Sequence, residues 1–325
     1  MENFEVRINP PNTKTESTWM EICQDAYKHN AWRSQGKIDY DCWVNGIPTF
    51  EFAFLYDKEN GRRAGCISAA LDESEELAHI GFFFFLPEYR GKGVGTELFE
   101  WTVAKEKFRK AKNWTLLAAH ERVEYYKTRH GFDKLGWTFS PVIIPTKELR
   151  PDAIKNLTEN QDFTKIEFVL PKSLENWQNV FEYNRKFFGG FRRDKFVKTF
   201  LSHPEAHAKI ALDKESGNVT GIGCIRETAT GNLILGPLYA DSPEIAETIF
   251  FNLLATLPWD FNNYELLITV PISENTAMRE IACKIVPEDS IIGVSVLCQA
   301  VFTDHVIDVP RKNVYSNYTT GLFVV

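Results

Sequence analysis

Scanned for stretches of period 2 and of period 3.6, the chain spells one order of elements twice: strand, helix, helix, three strands, helix, strand, helix, strand. The first pass reads as a strand over 4–8, a turn at Pro10-Pro11-Asn12, and a helix over about 15–29 with Trp19, Ile22, Cys23 and Ala26 at helical spacing. An irregular aromatic-rich segment follows, then strands over 50–56 and 64–71 joined by a hairpin whose Asn60-Gly61 is a strong turn signal. A strand over 77–86, a helix over 94–110, a strand over 114–119, a helix over 121–129 and a strand over 137–144 close the pass. The second runs through strand 165–170, helices 173–188 and 192–201, strands 206–212, 219–227 and 233–238, helix 242–257, strand 265–270, helix 275–285 and strand 291–302. Between them, residues 145–162 are rich in Pro, Lys, Glu, Asn and Thr and break the periodicity. The expectation is two α/β units, 1–145 and 163–325, joined by a linker over 146–162 and related by tandem duplication. A length of 325 residues accommodates two cores.

Composition removes several alternatives. Hydrophobic residues at 44% and charged residues at 25% match ordinary globular chains and exclude disordered, collagen-like and coiled-coil architectures. With 37 Lys and Arg against 44 Asp and Glu, the chain lacks the basic footprint of a nucleic-acid binder, and its field favours cationic substrates. The six cysteines show no CxxC and no histidine at ligand spacing, so they read as reduced thiols. His203 and His207 are separated by Pro204, which breaks the helix that metal spacing would need, so no metal is expected. The first residues carry charge and lack an apolar core, and no stretch approaches a membrane span. The reading is a cytoplasmic protein, with the nucleus as the other compartment and no membrane partner.

Pro87 to Thr96 lie between an apolar strand and an amphipathic helix, where backbone amides at a helix start favour anions. Gly91, Gly93 and Gly95 let the backbone approach a pyrophosphate, and Arg90 and Lys92 add positive charge. The spacing is GxGxG, which misses the GxGxxG of a dinucleotide turn, and the GxxxxGK[ST] of a P-loop is absent. A glycine-rich surface turn is the plain alternative.

Arg90-Gly91-Lys92-Gly93-Val94-Gly95 resembles the (Gln/Arg)-x-x-Gly-x-(Gly/Ala) signature of the GNAT acetyltransferase superfamily. Tyr125-Tyr126 followed by Gly131-Phe132 resembles a second landmark of that superfamily, and the likeness covers 4–145. The second half, around Gly236 to Asp241, resembles the carboxy-terminal domain of a tandem-GNAT family abundant in nematodes and also found in bacteria. The resemblance implies two units, each a mixed, mostly antiparallel sheet flanked by helices. It implies acetyl-CoA held on the amides of Gly91, Lys92, Gly93, Val94, Gly95 and Thr96, with backbone groups of Phe83, Phe84 and Phe85 pairing with the pantetheine and polarising the thioester carbonyl. Backbone donors aimed at a developing oxyanion are a large catalytic term.

An amine acceptor is protonated at neutral pH and has to lose a proton before attack. His79, eleven residues before Arg90, stands where the histone-acetylating branch of the superfamily carries its glutamate, and imidazole suits the task. Glu51 and a water chain are alternatives. The resemblance assigns protonation of the leaving thiolate to Tyr126, with Tyr125 second, although the family spacing to the glycine puts Lys127 in that register. Trp32, Tyr40 and Trp43 fall in the segment that the family uses as a substrate lid. Asp72 to Glu76 reads as a solvated turn that could also attract a cation. In the second repeat the phosphate loop is replaced by Tyr239 to Glu244, with no glycine and two carboxylates, so this half should not bind CoA in the standard way. Ser242-Pro243 reads as a helix cap, and Arg192, Arg193, Tyr239 and Asp241 are acceptor-contact candidates. The expected activity is direct acetyl transfer to a small-molecule amine or amino acid, with protein lysine as a second acceptor and a non-catalytic acyl-CoA-binding module as the alternative. The second half would wall the acceptor site or form a homodimer.

Overall fold

The computed structural model describes residues 1–8, 14–29, 35–161, 164–294 and 296–323. In chain order the first half contains β1 (Phe4–Ile8), α1 (Lys14–Lys28), α2 (Asp39–Gly46), β2 (Glu51–Asp57), β3 (Arg63–Leu71), β4 (Leu77–Phe85), α3 (Val94–Val103), β5 (Asn113–Ala119), α4 (Val123–His130), β6 (Lys134–Phe139) and β7 (Val142–Pro145). The second contains α5 (Pro151–Glu159), β8 (Ile166–Val169), α6 (Gln178–Lys186), α7 (Asp194–Leu201), β9 (His207–Asp213), β10 (Val219–Glu227) and β11 (Leu233–Ala240). It continues with α8 (Pro243–Ala255), β12 (Leu266–Thr269), α9 (Ala277–Cys283), β13 (Ile292–Gly293), β14 (Cys298–Phe302) and β15 (Val314–Ser316). The turn expected at Pro10-Pro11-Asn12 lies outside the described residues. The Asn60-Gly61 hairpin forms, with Gly61 at φ +70° and Asp57 accepting from the amide of Glu59.

Two mixed, mostly antiparallel sheets result, in the orders β1-β2-β3-β4-β5-β14-β6 and β13-β7-β12-β11-β10-β9-β8, with β15 added on β11. The halves exchange strands. The strand expected over 137–144 breaks after Phe139: β6 stays in the first sheet, while β7 crosses to pair with β12 through Leu267↔Ile144 and Ile268↔Ile143. The strand expected over 291–302 also breaks, and β14 crosses back to lie between β5 and β6. The limits 1–145 and 163–325 therefore divide the chain but not the sheets.

The segment expected to be a linker is helical and packed. Pro151 opens α5 at a position where its missing N–H costs nothing, and Leu149 and Ile154 join the second core beside Phe250 and Leu254. The irregular aromatic segment contains α2, whose Tyr40 and Trp43 point into the core three residues apart. α3 is shorter than expected, ending at Val103, and α6 begins at Gln178 after a 3-10 turn. In the second half Ser242 caps α8 by accepting from the amide of Ile245, with Pro243 in the first turn.

One apolar core runs through both halves, joining Trp19, Trp43, Phe52 and Phe82 to Phe187, Phe196, Tyr239 and Phe323. The halves are also clasped by an ion pair with no solvent exposure, in which Arg226 Nε donates to Asp39 Oδ1 at 3.0 Å. Arg226 spends its remaining donors on the carbonyls of Gly236 and Tyr318, both at 2.6 Å. Among the described residues no helix is long and apolar enough to cross a membrane.

Candidate active site

β4 and β5 run parallel and pair from Leu77↔Asn113 to Ile80↔Leu116, and there the ladder stops. Beyond it Phe82 takes φ +46°, a left-handed conformation that a bulky residue adopts only when its surroundings impose it. The register with β3 shifts over the same stretch. The two strand ends diverge and enclose a cavity of about 630 Å³, which reaches the 90–96 loop at its outer end.

Side chains along β4 alternate between the two faces of this opening. Phe82 and Phe84 lie with α1 and α2, whereas Phe83 and Phe85 lie with α3 and Phe99. The backbone alternates as well. Leu86 N–H bonds to Ala64 O and Phe84 pairs with Cys66, so the polar groups of Phe83 and Phe85 face the parted edge. Of the three phenylalanines expected to offer backbone to a thioester, Phe84 is thus turned toward β3. The Phe85 carbonyl is already taken, accepting from Arg90 Nε at 2.7 Å, which leaves Phe83 with both groups directed at the opening.

At the outer end Gly91 and Gly93 hold φ +74° and +81°, angles that explain their being glycine, and a Cβ on either would meet nothing within 4 Å. Gly93 caps α3. Among the described residues, the amides of Gly91, Lys92, Gly93, Val94, Gly95 and Thr96 have no protein acceptor. Consecutive open amides at a helix start, beside Arg90 and Lys92, make an anion cradle. These residues fit the diphosphate of CoA.

Tyr126 lines the cavity on the α3 side, against Phe99 and Phe132. Burial pushes its hydroxyl above the ordinary phenol range, so it remains a proton donor at neutral pH. Lys127, in the family's register, is exposed and paired with Glu124 at 3.4 Å. Tyr125 is more exposed, and its hydroxyl lies 3.3 Å from both Thr96 Oγ1 and His130 Nε2, tying α4 to the first turn of α3.

The structure removes His79 as a base. It has no solvent exposure, both ring nitrogens lack a hydrogen-bond partner, and the ring is stacked on Phe188 and edged by Phe323. Burial, with a contribution from Arg193, pushes its pKa down to about 3. The pattern placed it on the right strand but could not show that the second half covers its face. Glu51 is also outside the cavity, held by Lys105 and by Lys107 at 2.8 Å. Tyr40 and Trp43 are core residues, not a lid, and Trp32 lies outside the described residues. Tyr239 is buried against Phe187, and Asp241 is exposed at the start of α8, so neither meets the cavity. Arg193 is buried beneath Phe188, and Arg192 pairs with Glu73 and Asp194. The acidic turn is occupied: Asp72 accepts the amides of Ser74, Glu76 and Leu77, while Glu75 and Glu76 pair with Lys110 and Lys112.

Sequence reasoning missed the wall residues that come from outside β4, α4 and the 90–96 loop. His29, exposed at the end of α1, lines the cavity with its ring 6.4 Å from that of Phe84. Leu297, Thr320 and Gly321 come from the second half. Gly321 O accepts from Phe82 N at 3.2 Å, and a Cβ on Gly81 would meet that oxygen at 2.1 Å. No local periodicity marks such contacts.

The second half repeats the parting of strands and closes it. β11 pairs with β12 as far as Leu235↔Thr269. β15 then takes the vacated edge through Leu238↔Ser316 and Tyr239↔Val314. Ser316 Oγ donates to Leu235 O at 2.6 Å and accepts from Val270 N, and Asn317 N donates to Val270 O. The chain's own backbone fills this slot.

Two family models match the chain: the Acetyltransferase (GNAT) family over 17–132, and an Acetyltransferase (GNAT) domain over 180–287. The chain belongs to the GNAT superfamily. It carries two GNAT units in tandem. Among curated relatives, an uncharacterized protein of Caenorhabditis elegans is 24% identical over 56% of this chain, and the match spans 55% of the worm protein. The holothin acyltransferase of Pseudoalteromonas is 25% identical, covering 66% of this chain and 68% of that enzyme. A crystal structure of a Pyrococcus horikoshii protein described as an acetyltransferase shares the fold, with a TM-score of 0.66 at 18% identity, covering 99% of this chain and 97% of that one.

Proposed function

We propose that this GNAT protein transfers acetyl from acetyl-CoA to the primary amine of a small molecule, by direct attack in the cleft of the first unit. The observation that carries the reading is the parting of β4 and β5 after Ile80 beside the open amides of Gly91 to Thr96. When bound, acetyl-CoA supplies the acyl group in activated form as a thioester. The Phe83 amide is directed to where negative charge would gather on the carbonyl oxygen, and donors fixed beforehand stabilise such charge at little reorganisation cost. Tyr126, kept protonated by burial, holds a proton for the departing thiolate.

A small acceptor is favoured because Leu297, Thr320 and Gly321 of the second half narrow the α1 side of the cleft, and because the acidic turn is spent on its own ion pairs. The likeness to an enzyme named for acylating holothin supports the same direction.

Calorimetry with acetyl-CoA on the intact chain, followed by thiol release in the presence of amines, tests the reading. One site per chain and amine-dependent release are expected. Binding without release for any amine would make the chain an acyl-CoA-binding module, and an absence of binding would remove the site.

A further inference from the structure

With His79 buried and Glu51 outside the cavity, neither side chain can take the amine proton in the cleft. The alternation along β4 says where to look. Tyr126 sits with Phe83 and Phe99 on the α3 side, the side of the leaving group. An attacking amine has to come from the opposite face, where Phe82 and Phe84 lie with α1. On that face the cavity is lined by His29, Phe82, Phe84, Thr320 and Gly321. Of these, His29 is the one whose side chain carries a nitrogen able to accept a proton.

We propose that His29 is the general base that deprotonates the acceptor amine. This rests on the reading of the cleft as an acetyl-transfer site. His29 is exposed, close to Phe84, and directly after the last residue of α1, whose backbone fixes its position: its amide donates to Asp25 O at 3.2 Å. Its ring nitrogens bond to no described residue. The charged groups around it are Asp25 and Lys28 on α1, Arg63 of β3, which is bonded to Asp25 at 2.7 Å, Arg90 over the Phe84 ring at 5.5 Å, and Glu121 and Arg122 across the cavity. Arg63 also bonds to Glu21 of α1 at 3.0 Å, and Lys28 lies 3.9 Å from Asp25.

The proton accounting is complete. The arriving ammonium gives one proton to an imidazole nitrogen of His29. The freed lone pair forms the N–C bond, and the C–S bond breaks with its electron pair on sulfur. Tyr126 protonates the thiolate and is recharged by the second amine proton through solvent. His29 returns its proton to solvent. The sum is R–NH3⁺ plus acetyl thioester giving amide, thiol and one H⁺.

The test compares His29→Gln with the wild type in three measurements. Acetyl-CoA affinity should stay within about twofold, since His29 does not touch the 90–96 cradle; no binding by the wild type would instead break the underlying reading. At saturating amine, drawn from 2-phenylethylamine, histamine, spermidine and lysine amide and read by thiol release, kcat should fall about 10²-fold to 10⁴-fold. The acidic limb of the wild-type kcat profile should disappear in the variant, and added imidazole should restore part of the rate to His29→Gly. Turnover within about threefold of wild type with the limb retained overturns the proposal. A wild type that binds acetyl-CoA but acetylates none of the amines overturns the transfer reading and the proposal with it.

Discussion

In the first half β4 leaves β5 after Ile80, and the gap remains a cavity with glycine-built amides at its mouth. In the second half β11 leaves β12 after Leu235, and β15 occupies the gap. The residue after each parting is a glycine, and for each the reason is the same crossing segment. A Cβ on Gly81 would strike Gly321 O, and one on Gly236 would strike Asn317 O, both at 2.1 Å. A single stretch of chain therefore passes both partings, filling one and bracing the root of the other. The slot occurs twice, once as an open cavity and once as a socket for the chain's own backbone.

The comparison can be broken at the socket first. Asp39→Ala leaves the Arg226 guanidinium buried without its carboxylate while it still holds Gly236 and Tyr318, and should destabilise the fold by about 3–5 kcal/mol in urea unfolding. A loss below about 1 kcal/mol would mean that the socket is not held from the first half.

At the open slot, Gly93→Glu sets a side chain at φ +81° and a negative charge in the cradle; acetyl-CoA affinity should drop about 100-fold or more, with an unfolding midpoint close to wild type. Retained affinity would place the ligand elsewhere. Tyr126→Phe separates chemistry from binding: kcat should fall about 100-fold while acetyl-CoA binds normally. An unchanged rate would move the proton to solvent or to Tyr125.

A pH-dependent effect concerns His79 at the seam between the halves. Above about pH 6.5 its imidazole is neutral folded or unfolded. As pH falls from there toward 3, the unfolded chain gains a proton that the folded one refuses, so stability should decline by about 1.4 kcal/mol per pH unit. His79→Leu should flatten that part of the profile relative to wild type. An identical slope would show that the ring is not sealed beneath Phe188 and Phe323.

What could be read from the sequence was local. The Asn60-Gly61 hairpin, the cap at Ser242 and the glycine loop each depend on neighbours within a few residues, and each is where it was expected. The loss of the phosphate loop in the second half was visible for the same reason, as missing glycines. Nothing local marks that β14 lies beside β5, where Thr115 Oγ1 bonds to Val301 O across 186 residues. A strand's period says that it has two faces and two edges, not which strand lies on either edge. The same limit misplaced His79, whose strand position suited a base while its burial depends on Phe188 and Phe323. Tyr40 and Trp43 failed in a different way. Their spacing of three marks an inward helix face, and core packing needs no further explanation.

The exchanged strands also set a schedule for the chain's assembly. Until residue 302 has left the ribosome, β5 and β6 have no strand between them, and the partner that β7 needs in β12 is itself more than a hundred residues behind. Neither unit can finish its sheet alone during synthesis, and contacts this distant in sequence are slow to form. The edge of β5 that β14 covers in the finished molecule is for that interval an unpaired strand edge open to other chains, the condition under which a nascent protein most needs a chaperone.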